Sequence, residues 1–309
     1  MITTVTMNAS LDKAYFMQNV IENGIVMRVS SCRTTAGGKG MNVARAASLC
    51  GAEVQAIGLV GGYNGQQLEK LLREDGIPYQ FSHIKGETRC CINILDPGYG
   101  STEYLEPGCE VSAEEEQIFM KQYPEMIKDS EVVTISGSLP KGLKHDIYRK
   151  MITIAKAMGK IVILDTSGDA LKQGIAAVPT MVKPNQDEIE QLFGVKVRDK
   201  NDVIRYAKEL HDSGIAYVVI SLGKDGALLV CEDGVFQGRP PKVTVVNTVG
   251  CGDSMVGAFA AALERKDTAK DALKYAVAVA TANAMSPDTG NFNLDTCKEL
   301  LEQVVIESI

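Results

Sequence analysis

Residues 246–254, Val-Asn-Thr-Val-Gly-Cys-Gly-Asp-Ser, place a carboxylate directly behind a small-residue turn and ahead of an apolar stripe. Met255, Val256, Phe259, Ala262 and Leu263 recur at helical spacing, which predicts a strand at 243–247, a turn, and a helix from Asp253 to about Arg265. Gly250, Cys251 and Gly252 leave the first amide N–H groups of that helix uncovered, where the helix dipole favours an anion. A carboxylate beside a bound phosphate is unfavourable unless it accepts the proton of a hydroxyl attacking that phosphate, which gives Asp253 a chemical reason to be there. The competing account is an ordinary Asp N-cap after a glycine turn.

Other constellations could serve the same chemistry. Gly37-Gly38-Lys39-Gly40 opens a helical pattern carrying Asn42, so a ligand could approach the backbone, with Lys39 on a phosphate and Asn42 on hydroxyls. Asn185 and Glu188 stand three apart after Pro184; they suit the water shell of a magnesium ion, and equally a capping box. Ser221-Leu222-Gly223-Lys224-Asp225-Gly226 fits a turn beside a nucleotide or a plain hairpin. Asp12 follows the first strand and reads as a ligand for sugar hydroxyls or a turn cap, while Arg28 and Arg89 could each clamp a phosphate. Ser136-Gly137-Ser138-Leu139-Pro140 and Asp165-Thr166-Ser167-Gly168 also fall at strand ends, which makes one sheet edge the binding edge. Neither the Walker A pattern nor a Rossmann glycine fingerprint after the first strand is present.

The elements that must position these residues alternate between strand and helix signals, giving an α/β chain with a mostly parallel sheet. Strands are expected at 3–7, 54–60, 132–136, 161–165, 181–183, 217–221 and 243–247, and helices without further strands from Thr268 onward. Residues 14–35 and 88–106 are β-rich without intervening helices and read as antiparallel strands forming a small lid over segments 1–13, 36–87 and 107–309. An excess of acids, 39 against 32 Lys and Arg, argues against nucleic acid or an anionic membrane as partner, so any anionic ligand needs locally gathered cations. Eight cysteines without a C-x-x-C pair, and only three histidines, read as reduced thiols and not as a zinc site. No secretory signal pattern or spanning apolar run appears, so the cytosol is the expected compartment.

Taken in order, Gly37-Gly38-Lys39-Gly40 with Asn42, Gly137-Ser138-Leu139-Pro140, Asn185-x-x-Glu188 and Gly250-x-Gly252-Asp253 resemble the ribokinase-like, or pfkB, family of sugar kinases along essentially the whole chain. Residues 6–12, 86–89, 102–108 and 164–168 lean toward its hexose-phosphate branch, and within it toward the tagatose-6-phosphate kinase pattern over that of 1-phosphofructokinase. The resemblance implies a three-layer α/β/α fold with a β lid, a homodimer through the lids, and magnesium-dependent transfer from ATP to a ketohexose monophosphate, tagatose 6-phosphate or fructose 1-phosphate. It implies Asp253 as base and Gly250 to Gly252 as anion hole, with Asn185 and Glu188 at magnesium. Lys183, Asn185, Ser221, Gly223, Gly226 and Asn283 fall on the nucleotide side, and Asp12, Arg28, Gly38, Lys39, Asn42, Arg89 and Ser138 on the sugar side. The sequence specifies no monovalent-cation site, and the loop after Asn283, through Ser286 to Gly290, is where a potassium ion would be sought.

Three departures stand out: Ala9 where proline is common, Cys90 where asparagine is frequent, and Cys251 where alanine or serine is usual. A thiol at 251 is expected inside the phosphate cradle, where oxidation would inactivate an enzyme. Two other functions remain in view. A non-catalytic sugar-phosphate sensor would bind without turnover, and a nucleoside or free-sugar kinase would leave Arg28, Lys39 and Arg89 without purpose.

Overall fold

The computed structural model describes all 309 residues. Strand β1 (Ile2–Thr6) leads into β2 (Ser10–Phe16) and β3 (Ser31–Gly37) of a separate sheet, and then α1 (Lys39–Leu49). The chain continues through β4 (Val54–Gly61), α2 (Gly62–Glu74) and β5 (Tyr79–Ile84), and leaves the main sheet again as β6 (Arg89–Asp96) and β7 (Gly100–Leu105). Alternation resumes with α3 (Ala113–Met126), β8 (Val132–Ser136), α4 (Ile147–Ala157), β9 (Ile161–Asp165), α5 (Gly168–Ile175), β10 (Met181–Val182), α6 (Gln186–Phe193), α7 (Lys200–Asp212) and β11 (Tyr217–Ser221). Strands β12 (Ala227–Cys231) and β13 (Gly234–Arg239), helices α8 (Cys251–Glu264), α9 (Ala269–Ala284) and α10 (Leu294–Gln303), and strand β14 (Val305–Ser308) complete it.

Ten strands form the main sheet in the order β14-β13-β12-β11-β10-β9-β8-β1-β4-β5, parallel from β11 through β5 and antiparallel at the other end. Every residue of β1 and β8 is buried, as parallel strands covered on both faces require. One apolar cluster holds α1, α8 and α9 against the sheet, and a second holds α3, α4 and α7 against its other face, making three layers. The strand order reverses around β1: β4 and β5 lie on one side, β8 and β9 on the other. Such a switch point opens a crevice at the strands' carboxyl ends.

The remaining four strands form a second sheet, β3-β2-β6-β7. Its central pair, β2 and β6, is parallel, correcting the expectation of antiparallel strands throughout. The reason is topological. The chain leaves for β2 from the carboxyl end of β1, and for β6 from that of β5, two strands pointing the same way. Pairing also begins at Ser10 and ends at Gly37, wider than 14–35, so Asp12 sits inside a strand of this sheet and not merely beyond β1.

Two further expectations fail. Residues 243–247 form no strand, because Pro240 and Pro241 remove two ladder donors and β14 occupies the edge of β13. The amides of Val246 and Asn247 instead donate to the Ala284 carbonyl at 2.8 and 3.2 Å. The chain from Thr268 is not purely helical either, since it ends in that same β14. No helix is long and apolar enough to cross a membrane.

Candidate active site

A cavity of about 830 Å³ lies between the carboxyl ends of the parallel strands and the second sheet. Lys39 and Asp253, more than two hundred positions apart in sequence, both line it. Their convergence depends on close helix packing. Gly257 lies so near α1 that a Cβ there would meet the Ala46 Cβ at 2.8 Å and the Ala47 amide nitrogen at 2.9 Å. The glycine lets α8 close on α1, and one turn earlier the buried Asn42 Nδ2 donates to Asp253 Oδ2 at 2.8 Å.

The turn before Asp253 has the geometry its glycines permit. Gly250 caps α8 at φ 80°, a left-handed conformation, and a Cβ on it would collide with Thr289 Cγ2 at 2.5 Å. Gly250 and Gly252 line the cavity. Cys251 does not, which corrects the expected position of its thiol. Its Sγ accepts from Asn283 Nδ2 at 3.4 Å and lies 3.9 Å from the Asn247 carbonyl, on the side away from the cradle. Burial pushes the thiol pKa up, so little thiolate is available for oxidation.

Asp165, the last residue of β9, is fully buried and joins two ammonium groups: Lys39 Nζ lies 3.3 Å from one carboxylate oxygen and Lys183 Nζ 3.3 Å from the other. Burial alone would raise its pKa, but Lys183 and Lys39 outweigh that and hold it below the usual carboxylate range. Lys39 is correspondingly held as a cation, chiefly by Asp165. Asp253 behaves oppositely: burial raises its pKa, and Lys39 only partly offsets this.

On the side of the second sheet, Asp12 accepts from Ser10 Oγ at 2.6 Å, and burial raises its carboxyl pKa. A Cβ at Gly37 would sit 2.1 Å from the Asp12 Cγ, so the glycine clears room for that carboxylate. Arg89 lines the cavity while its Nε and Nη1 donate to the carbonyls of Asn8 (3.2 Å) and Glu106 (2.8 Å). Gly38, φ 99°, lines it as the N-cap of α1.

A match to the pfkB family carbohydrate kinase model runs over residues 5–297. The chain belongs to the pfkB family of carbohydrate kinases. A curated relative, the tagatose-6-phosphate kinase of Staphylococcus epidermidis, is 38% identical over 309 residues, covering 99% of each chain. The phosphofructokinase-2 of Escherichia coli, solved in complex with potassium, superposes with a TM-score of 0.92 at 32% identity and 98% coverage of both chains. The same enzyme in complex with fructose 6-phosphate gives 0.90 at 31% identity, again with 98% coverage of both.

Several residues expected at the site of this pfkB kinase lie elsewhere. Arg28 is exposed in the connection between β2 and β3 and lines no wall of the cavity. Ser138 is exposed beside it, accepting from Asn8 Nδ2 at 3.1 Å. Asn283 is wholly buried: it donates to the Val249 carbonyl at 3.0 Å and accepts from Ser254 Oγ at 3.0 Å and the Gly290 amide at 2.8 Å. It therefore braces the glycine turn from behind and offers nothing to a nucleotide directly. Gly226 packs under β13, where a Cβ would meet the Gly238 carbonyl at 1.9 Å. Ser221 lines the main cavity, and with Asn185 and Gly223 also an adjoining one of about 750 Å³.

Asn185 and Glu188 do form a capping box: the Glu188 amide donates to Asn185 Oδ1 at 2.8 Å, and the Asn185 amide to Glu188 Oε2 at 2.9 Å. One carboxylate oxygen of Glu188 stays uncommitted. No cluster of three or more His, Cys, Asp or Glu exists for a metal, so this pair fits magnesium only in a hydrated, phosphate-completed form. Sequence reasoning placed Asp165 only at a strand end on the binding edge and left Arg33 and Arg45 without roles, although Arg45 stands one helical turn after Asn42.

Proposed function

We propose that this kinase transfers the γ-phosphoryl group of ATP to a hydroxyl of a ketohexose monophosphate, giving the 1,6-bisphosphate, with tagatose 6-phosphate as acceptor. The observation that carries it is Asp253, buried, facing one cavity with the cations Lys39, Arg89, Lys183 and Arg33. An unphosphorylated sugar would need hydrogen-bonding groups in place of that many cations. The 38% identity to an enzyme named tagatose-6-phosphate kinase supports this acceptor over fructose 1-phosphate, the alternative.

In this mechanism the sugar phosphate lies under the second sheet, held by Asp12 at hydroxyls and by Lys39 and Arg89 at phosphate. Asp253 takes the acceptor proton as the phosphoryl group moves, late because that group needs little nucleophilic push. The amides of Gly250 and Gly252, which line the cavity, and the Lys183 ammonium stabilise charge on the equatorial oxygens, while the Cys251 amide donates to the Thr248 carbonyl. Glu188 and Asn185 would hold magnesium, which supplies charge neutralisation at the phosphates when bound. A potassium ion is proposed at the loop from Ser286 to Gly290, and activity in potassium against tetramethylammonium salts reads that dependence.

The lid is proposed to pair with a second copy of the chain. Val26, Tyr99 and Leu105 there are 89%, 69% and 62% exposed, an apolar surface that a monomer would leave wet. Sedimentation equilibrium tests this, and a monomer at working concentrations would refute it.

An ADP-release assay with tagatose 6-phosphate, fructose 1-phosphate and fructose 6-phosphate side by side tests the function. Asp253→Asn should cost roughly 10²–10⁴ in kcat with nucleotide affinity nearly intact. Near-normal turnover removes Asp253 from the role; binding of all three sugars with no ADP released leaves the sensor reading standing.

A further inference from the structure

The Asn42 amide lies between a group that can only donate and one that, when ionised, can only accept. Arg45 Nη1 donates to Asn42 Oδ1 at 3.0 Å, and Asn42 Nδ2 donates to Asp253 Oδ2 at 2.8 Å. Turned over, the amide would set its N–H groups against a guanidinium and its oxygen against a carboxylate, so only one orientation is chemically allowed. Arg45 itself is firmly placed: its side chain is 10% exposed, Nε donates to Asp75 Oδ2 at 2.9 Å, and Nη2 donates to the Ala36 carbonyl at the base of the lid. Only a fork of several donors reaches all these partners at once.

We propose that Arg45 is a positioning residue for phosphoryl transfer, locking the Asn42 amide so that it holds one oxygen of Asp253 and leaves the other to the acceptor hydroxyl. The inference rests on Asp253 as proton acceptor and extends it. Lys39 from α1, Lys183 beyond β10, Asp165 at the end of β9 and Glu103 on β7 also act on Asp253, but they do so through charge. Asn42 is the side chain that hydrogen-bonds its carboxylate and so sets the rotation of the carboxylate plane.

The test is a double-mutant cycle. Arg45→Met should lower kcat about tenfold, the loss of one charge-assisted hydrogen bond, with the KM for ATP within about twofold. In an Asn42→Ala background the same change should alter kcat by less than about twofold, because its effect passes through the amide. Equal losses in both backgrounds, or no loss in the parent, would overturn the proposal. Arg45→Lys, which keeps the charge if Met prevents folding, should retain an intermediate kcat with the same dependence on Asn42. A readout independent of turnover is the Asn42 side-chain amide in ¹⁵N spectra, identified by its disappearance in Asn42→Ala. Its hydrogen-exchange protection should fall in Arg45→Met or Arg45→Lys, and an amide as protected as in the parent refutes the lock. Absence of turnover in the parent would count against Asp253 chemistry, while the spectra still decide the role of Arg45.

Discussion

Replacing Asp165 with asparagine keeps the shape of the side chain but removes the charge between Lys39 and Lys183. Each ammonium lies 3.3 Å from a carboxylate oxygen, which at an effective dielectric of 20 is an attraction of about 5 kcal/mol per pair, before desolvation is subtracted. The Lys39 side chain is 41% exposed and can rehydrate; Lys183, at 5%, cannot. The loss therefore centres on one stranded buried cation, and breaking such a pair costs about 3–5 kcal/mol. At roughly 2 °C per kcal/mol for a chain of this size, Tm should fall by about 6–10 °C. Scanning calorimetry at pH 7 reads this directly, and sulfate should raise the Tm of Asp165→Asn more than that of the parent, since an anion in the cavity replaces the lost charge. The pH dependence has a definite sign. Asp165 is held below its unfolded value of about 3.9, so its stabilisation is complete above that value and is lost as pH falls through the lower folded one. The gap between variant and parent should be flat from pH 6 to 8 and close only in acid, below about pH 4. A variant melting within about 2 °C of the parent at pH 7, with the same response to sulfate, would refute the reasoning.

Other outcomes follow from the same geometry. Because burial raises the Asp253 pKa, the acid limb of kcat/KM should lie above the ordinary carboxylate range, and Asn42→Ala, which removes a donor to the ionised form, should move it higher still. A limb that Asn42→Ala leaves in place would contradict this. Lys39→Ala and Arg89→Ala should each raise the KM for the sugar phosphate more than they lower kcat, since a phosphate present in ground and transition states is bound equally in both. Steady-state kinetics in which kcat alone falls would take both out of the clamp. Alkylation followed by mass spectrometry should label the exposed Cys32 well before Cys251, whose thiol is raised by burial and turned from the cavity. Faster labelling of Cys251 would restore the expectation that it is oxidation-sensitive.

Much of this protein was determined by local sequence. The helix after Asp253, the GGKG helix bearing Asn42, the parallel strands ending in Ser136, Asp165 and Ser221, and the β-rich second sheet all follow from periodicity and turn chemistry, which act over a few residues. The tertiary structure decided what those rules cannot express. The run at 243–247 has strand-like residues, yet strand formation needs an unoccupied partner edge, and β14 from the far end of the chain takes it. Cys251 sits in a motif that suggests ligand contact and the resemblance puts Asn283 on the nucleotide side, but their directions are set by helix packing, which turns both behind the glycine turn. Arg45 carries no motif of its own, and Asp165 only the strand-end run 165–168. Their parts in the site exist only because Gly257 lets α8 close on α1 and because β9 ends between two lysines drawn from separate elements. Charge pairing and hydrogen-bond orientation are properties of distance between groups, and distances across two hundred residues of chain are fixed by the packed core alone.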